Sequence, residues 1–206
     1  MKCGKMVVGS VEMEKEQKKK KRVAWGITGS GDRLVEVIET MKQINKQYKD
    51  EIRITVYLSK AGNQVVNFYG LAKDLKENFD KVRVEVNSNV PTLAVQLQSG
   101  KIEFLLIAPT TANTVAKIAT GIADTLLCNA TIMALKSFVP VYILPCDYKE
   151  GVTATKLPDG SEMKIQVRKE DVERTKKLAA MDGVFILEKP EEIHHVFQKH
   201  FKPEES

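Results

Sequence analysis

The 206-residue sequence predicts a doubly wound α/β domain, a mostly parallel sheet with helices on both faces. Three observations carry this. Short, near-continuous apolar runs recur along the chain, as parallel strands buried on both faces require. Between them lie segments whose apolar residues follow helical spacing. The turns joining strand to helix are rich in Gly, Ser, Thr and Asn, residues that cap helices and permit tight backbone.

The elements follow in order. Residues 1–21 read as a charged tail: Val11 to Lys21 is mostly Glu, Lys and Gln, with no core face. A single domain is expected over residues 22–202. Val23 to Thr28 is a buried strand that ends in the Gly-rich turn Gly29-Ser30-Gly31-Asp32. Residues 33–48 place Leu34, Val37, Ile38, Met41 and Ile44 on one helical face. Ile52 to Leu58 is the second strand, closed by Ser59-Lys60-Ala61-Gly62, and one helix is expected over 64–78. Val82 to Val86 is a third strand, and 91–98 a short helix. Phe104 to Ala108 is a buried strand, followed by the turn Pro109 to Thr114 and helices over 115–120 and 124–136. Val139 to Leu144 is the next strand. Residues 151–167 form an excursion, a hairpin or lid. A helix over 172–180, a strand over 184–187 and a helix over 191–200 complete the chain.

Composition narrows the function. Hydrophobic residues make up 43% and charged residues 29%, ordinary for a soluble globular chain. No apolar run is long enough to span a membrane, and the N-terminus has no secretory apolar segment, so a cytoplasmic protein is expected. Cys3, Cys128 and Cys146 lack metal or disulfide spacing. The net charge of +5 owes much to the run Lys18 to Arg22, which has no interleaved aromatics, so no nucleic-acid partner is expected. His194, His195 and His200 share one helix at spacings that do not suit a metal, and no metal site is expected.

In such a sheet, ligands bind beyond the carboxyl ends of the strands. Three of those ends, Thr28 to Gly31, Ser59 to Gly62 and Pro109 to Thr114, each precede a helix. Helix N-termini offer unpaired N–H groups and positive partial charge, which suits a phosphate. A phosphorylated ligand such as a mononucleotide is implied. NAD in the dinucleotide pose is disfavoured: Gly29 and Gly31 fit G-x-G-x-x-G, but residue 34 is Leu, and no acidic residue ends the second strand. A P-loop is absent.

The string Ala-Pro-Thr-Thr-Ala-Asn-Thr-Val-Ala-Lys-Ile-Ala-Thr-Gly-Ile-Ala-Asp-Thr-Leu-Leu, residues 108–127, resembles the signature of the homo-oligomeric flavin-containing cysteine decarboxylase superfamily. The resemblance runs over residues 22–147 in pattern and is sharp over 107–127. It implies a Rossmann-like flavoprotein with FMN as cofactor. Gly29, Ser30 and Ser59 would meet the phosphate region, and Thr111, Ala112, Asn113 and Thr114 the flavin and its ribityl chain. Gly31, Lys60, Pro109, Thr110 and Cys146 complete the expected contact set. The family forms trimers or assemblies of trimers with FMN at a subunit interface, so residues 121–136 would pack on a neighbour or else form an ordinary core helix.

The departures are informative. Decarboxylases of this superfamily carry a catalytic His about fourteen residues before the Pro of the Ala-Asn-Thr motif. Counting back from Pro109 reaches Val95, and no His precedes His194. A second signature, Pro-Ala-Met-Asn, appears here as Pro145-Cys146-Asp147-Tyr148. The combination is similar to the archaeal flavoproteins, the group that includes the acceptor-type dihydromethanopterin reductase. That implies an FMN-dependent electron-transfer protein or reductase, taking electrons from a ferredoxin-like donor, with a pterin as one acceptor. The alternatives are a decarboxylase of the phosphopantothenoylcysteine type or a flavin prenyltransferase, and a non-enzymatic binding module that uses the basic tail. Cys146, Asp147 and Tyr148 are catalytic candidates by position only, against a plain reading as loop residues.

Overall fold

The computed structural model describes residues 19–201. Residues 1–18 of the expected tail, Cys3 among them, and residue 202 lie outside the described residues. Six strands, β1 (Lys21–Ile27), β2 (Ile52–Leu58), β3 (Lys81–Val84), β4 (Leu105–Thr110), β5 (Val141–Pro145) and β8 (Val184–Ile186), form one sheet in the order β3-β2-β1-β4-β5-β8. Every adjacent pair in it is parallel. The strand order reverses between β1 and β4, which makes their carboxyl ends the switch point where ligands bind.

Helices cover both faces, and each face has its own core. On one, α1 (Leu34–Gln47), α2 (Lys60–Phe68), α3 (Ala72–Asn78) and α8 (Glu192–Phe201) pack around Trp25, Met41, Phe104 and Phe197. On the other, α4 (Leu93–Gln98), α5 (Ala112–Ala119), α6 (Leu126–Lys136) and α7 (Lys169–Ala179) pack around Ala24, Leu105, Ile107 and Ile143. Each such side chain buried from water contributes roughly 1.5–3 kcal/mol. Trp25 is fully buried, meets Phe79 edge-on at 5.2 Å between ring centroids, and donates its indole N–H to Ala108 O at 2.8 Å.

Three expectations are refined. The single helix expected over 64–78 is two, α2 and α3, separated at Gly70, whose φ of 70° takes the chain out of α2 through the left-handed region. The helix expected from residue 115 begins at Ala112, because Thr111 caps it, so part of the expected turn is helix. The excursion is a hairpin, β6 (Gly151–Lys156) and β7 (Glu162–Val167), paired antiparallel with each other and outside the main sheet.

Candidate functional site

The switch point is locked by one hydroxyl. Thr28 donates both its N–H (3.2 Å) and its Oγ1 (2.9 Å) to Pro109 O, and its Oγ1 accepts from Thr111 N at 2.8 Å. This fixes the loop after β1 against the loop after β4. Thr110 is fully buried and donates to Ile107 O at 2.7 Å, and Pro109 contributes its carbonyl to Thr28, so both support the cleft wall rather than face it.

Beyond this clasp opens a cleft of about 430 Å³, lined by Thr28, Gly29, Ser59, Lys60, Ala61, Glu85, Thr111, Asn113, Thr114, Asp124, Thr125 and Leu127. That volume suits a mononucleotide-sized ligand. Gly29, Ser59, Lys60, Thr111, Asn113 and Thr114 of the expected contact set meet here. The close approach of α2 to β1 explains two glycines. A Cβ on Gly29 would stand 2.6 Å from Ala61 Cβ, and one on Gly62 would stand 2.3 Å from Ile27 O. Ser59 caps α2 by accepting from Gly62 N at 2.9 Å, and Thr111 caps α5 by accepting from Thr114 N at 3.4 Å.

Glu85, which follows β3, is a cleft residue the sequence reading did not single out. It is buried, and its carboxylate accepts from Lys60 N (3.0 Å) and Leu126 N (2.9 Å), the first N–H groups of α2 and α6. An internal anion therefore already sits at two of the helix N-termini that border the cleft. Asp124, also in the cleft wall, is paired with Lys117 at 2.8 Å.

Of the remaining expected residues, Ser30 and Cys146 line a second pocket. It is smaller, about 90 Å³, lies beneath the β6–β7 hairpin, and is lined by Ser30, Asp32, Thr111, Cys146, Asp147, Thr153, Thr155 and Ile165. Thr111 borders both cavities. Cys146 donates its thiol to Ser30 Oγ at 3.0 Å, and burial pushes that thiol up to about 12, so it is no thiolate nucleophile at neutral pH. Burial also raises the Cys128 thiol. Burial raises the carboxyl of Asp32 above its ordinary range, with Arg33 opposing, and raises that of Asp147, with Asp171 and Asp32 adding to it and the Ala112 N–H opposing. Ala112 thus serves by its N–H, and Gly31 by close packing, since a Cβ there would stand 2.4 Å from Tyr69 OH. Tyr148 faces Arg33, whose guanidinium lies 5.5 Å from the ring centroid. Among the described residues no group of three His, Cys, Asp or Glu could hold a metal ion. No helix among them is long and apolar enough to cross a membrane.

Comparison with known proteins agrees with the fold. The family model described as Flavoprotein matches residues 11–198. An uncharacterized protein of Methanocaldococcus jannaschii is 46% identical over 181 residues, covering 88% of this chain and 96% of that one. Dihydromethanopterin reductase (acceptor) of the same organism is 30% identical over 235 residues, covering 85% of this chain and 95% of that one. Among solved structures, DmrB of Burkholderia xenovorans, described as a cubic protein cage for redox transfer and solved with FMN, superposes with a TM-score of 0.74 at 28% identity, covering 88% of this chain and 96% of that one.

Proposed function

The chain belongs to the flavoprotein family, and from that premise we propose that it is an FMN-dependent oxidoreductase whose cofactor occupies the cleft at the β1–β4 switch point. The observation that carries this is the cleft of mononucleotide size at that switch point, walled by the Gly29 loop and by the Ser59- and Thr111-capped starts of α2 and α5. Bound there, FMN supplies hydride and one-electron chemistry. The chain supplies the fit. Gly29, Ser59 and Lys60 face the phosphate end; Thr111, Asn113 and Thr114 face the ribityl chain and ring; the Thr28 clasp holds the two walls in register. The FMN-binding unit is taken to span residues 22–202, and Lys21, the last residue of the expected tail, already lies in β1 and pairs with Ile52.

The finer reading is a reductase that takes electrons from a ferredoxin-like donor and passes them to an acceptor of the pterin class. It is supported by the 30% identical dihydromethanopterin reductase and by the His missing from the decarboxylase position, occupied here by Val95, which is exposed on α4. A homo-oligomer follows on the same reading. Val84 and Val86, which flank the cleft residue Glu85, are exposed, as are Val90 and Val95, and a second copy would cover such apolar surface.

The test is an absorbance spectrum of protein reconstituted with FMN, before and after addition of reduced ferredoxin without oxygen. A flavin spectrum that bleaches is the expected result. A flavin spectrum that ferredoxin leaves unchanged removes the donor, and a chain that takes up no FMN overturns the reading.

A further inference from the structure

We propose that the pocket beneath the β6–β7 hairpin receives the N–H-bearing edge of a nitrogen heterocycle, with the Asp32 carboxylate as its acceptor. The inference rests on the flavin-dependent reading above. It begins with an atom left unsatisfied. Among the described residues only two buried side-chain polar atoms lack a hydrogen-bond partner, Asp32 Oδ2 and Tyr48 OH. Tyr48 packs among Phe197 and Phe201 in a core and lines neither of the two cavities described above. Asp32 lines a pocket.

The other oxygen shows what holds the carboxylate in place. Asp32 Oδ1 accepts from Thr155 Oγ1 at 3.4 Å, and Asp32 N donates to Ser30 Oγ at 3.2 Å. Arg33 Nε stands 3.6 Å from Oδ2, beyond hydrogen-bond reach. A buried carboxylate oxygen without a donor destabilises the folded chain. A fold does not need that cost, since an apolar residue of similar size would remove it. A ligand N–H would satisfy it.

The surroundings set the ligand's chemistry. Ser30, Thr111, Thr153 and Thr155 add hydroxyls, and Asp147 adds a second carboxyl. The hydroxyls can donate or accept, whereas ionised carboxylates only accept, so the partner that fits the open Asp32 oxygen is a donor-bearing edge: the amide or amidine N–H groups of a flat heterocycle. Ile165, from the hairpin, supplies an apolar wall for such a ring. At about 90 Å³ the pocket holds an edge and not a whole molecule, and Thr111 connects it to the larger cleft. Two sources present that edge: the pyrimidine ring of the flavin itself, or a pterin-like second substrate lying against it.

The experiment separates them. Asp32→Ala and Asp32→Asn are compared with the unaltered chain for FMN affinity by fluorescence quenching, for 7,8-dihydrobiopterin affinity of the oxidised FMN-loaded protein, and for the melting temperature of the cofactor-free protein. The expected signature is opposite in sign. The cofactor-free variants melt higher, because a buried carboxylate oxygen without a hydrogen-bond donor is gone, while one ligand binds about tenfold more weakly or worse. Loss confined to FMN assigns the edge to the flavin. Loss confined to 7,8-dihydrobiopterin, with FMN retained, assigns it to the second substrate. Unchanged affinity for both overturns the proposal while leaving the flavin reading intact. An unaltered chain that takes up no FMN overturns the flavin reading first. Should Asp32→Ala fail to fold, Asp32→Asn, which keeps the side-chain shape, decides on the same criteria.

Discussion

Gly29 has no space for a side chain on the cleft side, because Ala61 Cβ already stands where the added carbon would press. Gly29→Val must therefore push α2 away from the β1 loop. The expected outcome is a folded protein with FMN affinity lowered about tenfold or more, read by fluorescence titration against the unaltered chain. Gly29 is legible from sequence, since a Gly-rich turn after an apolar run has a defined physical meaning. Glu85 and Asp32 are not. Glu85 follows an edge strand and looks like an ordinary surface acid; its partners Lys60 and Leu126 belong to helices that only the folded chain brings to it. Asp32 reads as the fourth residue of a turn, and the Thr155 that fixes it lies 123 residues away. A carboxylate's role depends on what surrounds it in space, and spacing along the chain does not encode that.

At the level of elements, the strands are where the sequence speaks most clearly. Buried parallel strands must be apolar on both faces, so runs such as Phe104 to Ala108 stand out without reference to their neighbours. The break between α2 and α3 does not stand out, because residues on either side of Gly70 keep helical spacing and a single glycine is tolerated inside many helices. The last helix carries a pH dependence. His200 Nε2 pairs with Tyr142 OH at 2.9 Å beside Phe104, and burial holds its imidazole below the ordinary value of 6.5, with Lys199 adding to the effect. The folded chain thus binds a proton there less readily than the unfolded chain. The stability this site contributes is present above pH 6.5 and declines as pH falls below it toward the folded-state value. Urea denaturation between pH 7.5 and about 5 is expected to show that decline, and His200→Gln to flatten it. An equal slope in both proteins would refute the assignment.

For the whole molecule, the fold class follows from alternation of strand and helix, but the covering of its surface does not. The exposed Val84, Val86, Val90 and Val95 beside Glu85 look, in sequence, like strand and short-helix residues of any kind. Only the folded chain reveals that they are exposed, Val84 on the edge strand β3, Val86 and Val90 in the loop after it and Val95 on α4. On the proposed reading a second copy covers them. Val86→Asp combined with Val95→Asp is then expected to shift sedimentation to a smaller species and to weaken FMN retention together, since the cleft wall is part of the same edge. A single monomeric species for both proteins would remove the interface.

The Glu85 carboxylate also bears on the order in which the holoprotein is put together. Helix ends that point into a cleft are exposed dipoles, and in many ligand sites they wait for the ligand to neutralise them. Here α2 and α6 receive their counter-charge from the chain itself. On the proposed reading these two helix ends need no counter-charge from the cofactor, so the cofactor-free chain is expected to fold and to take up FMN afterwards.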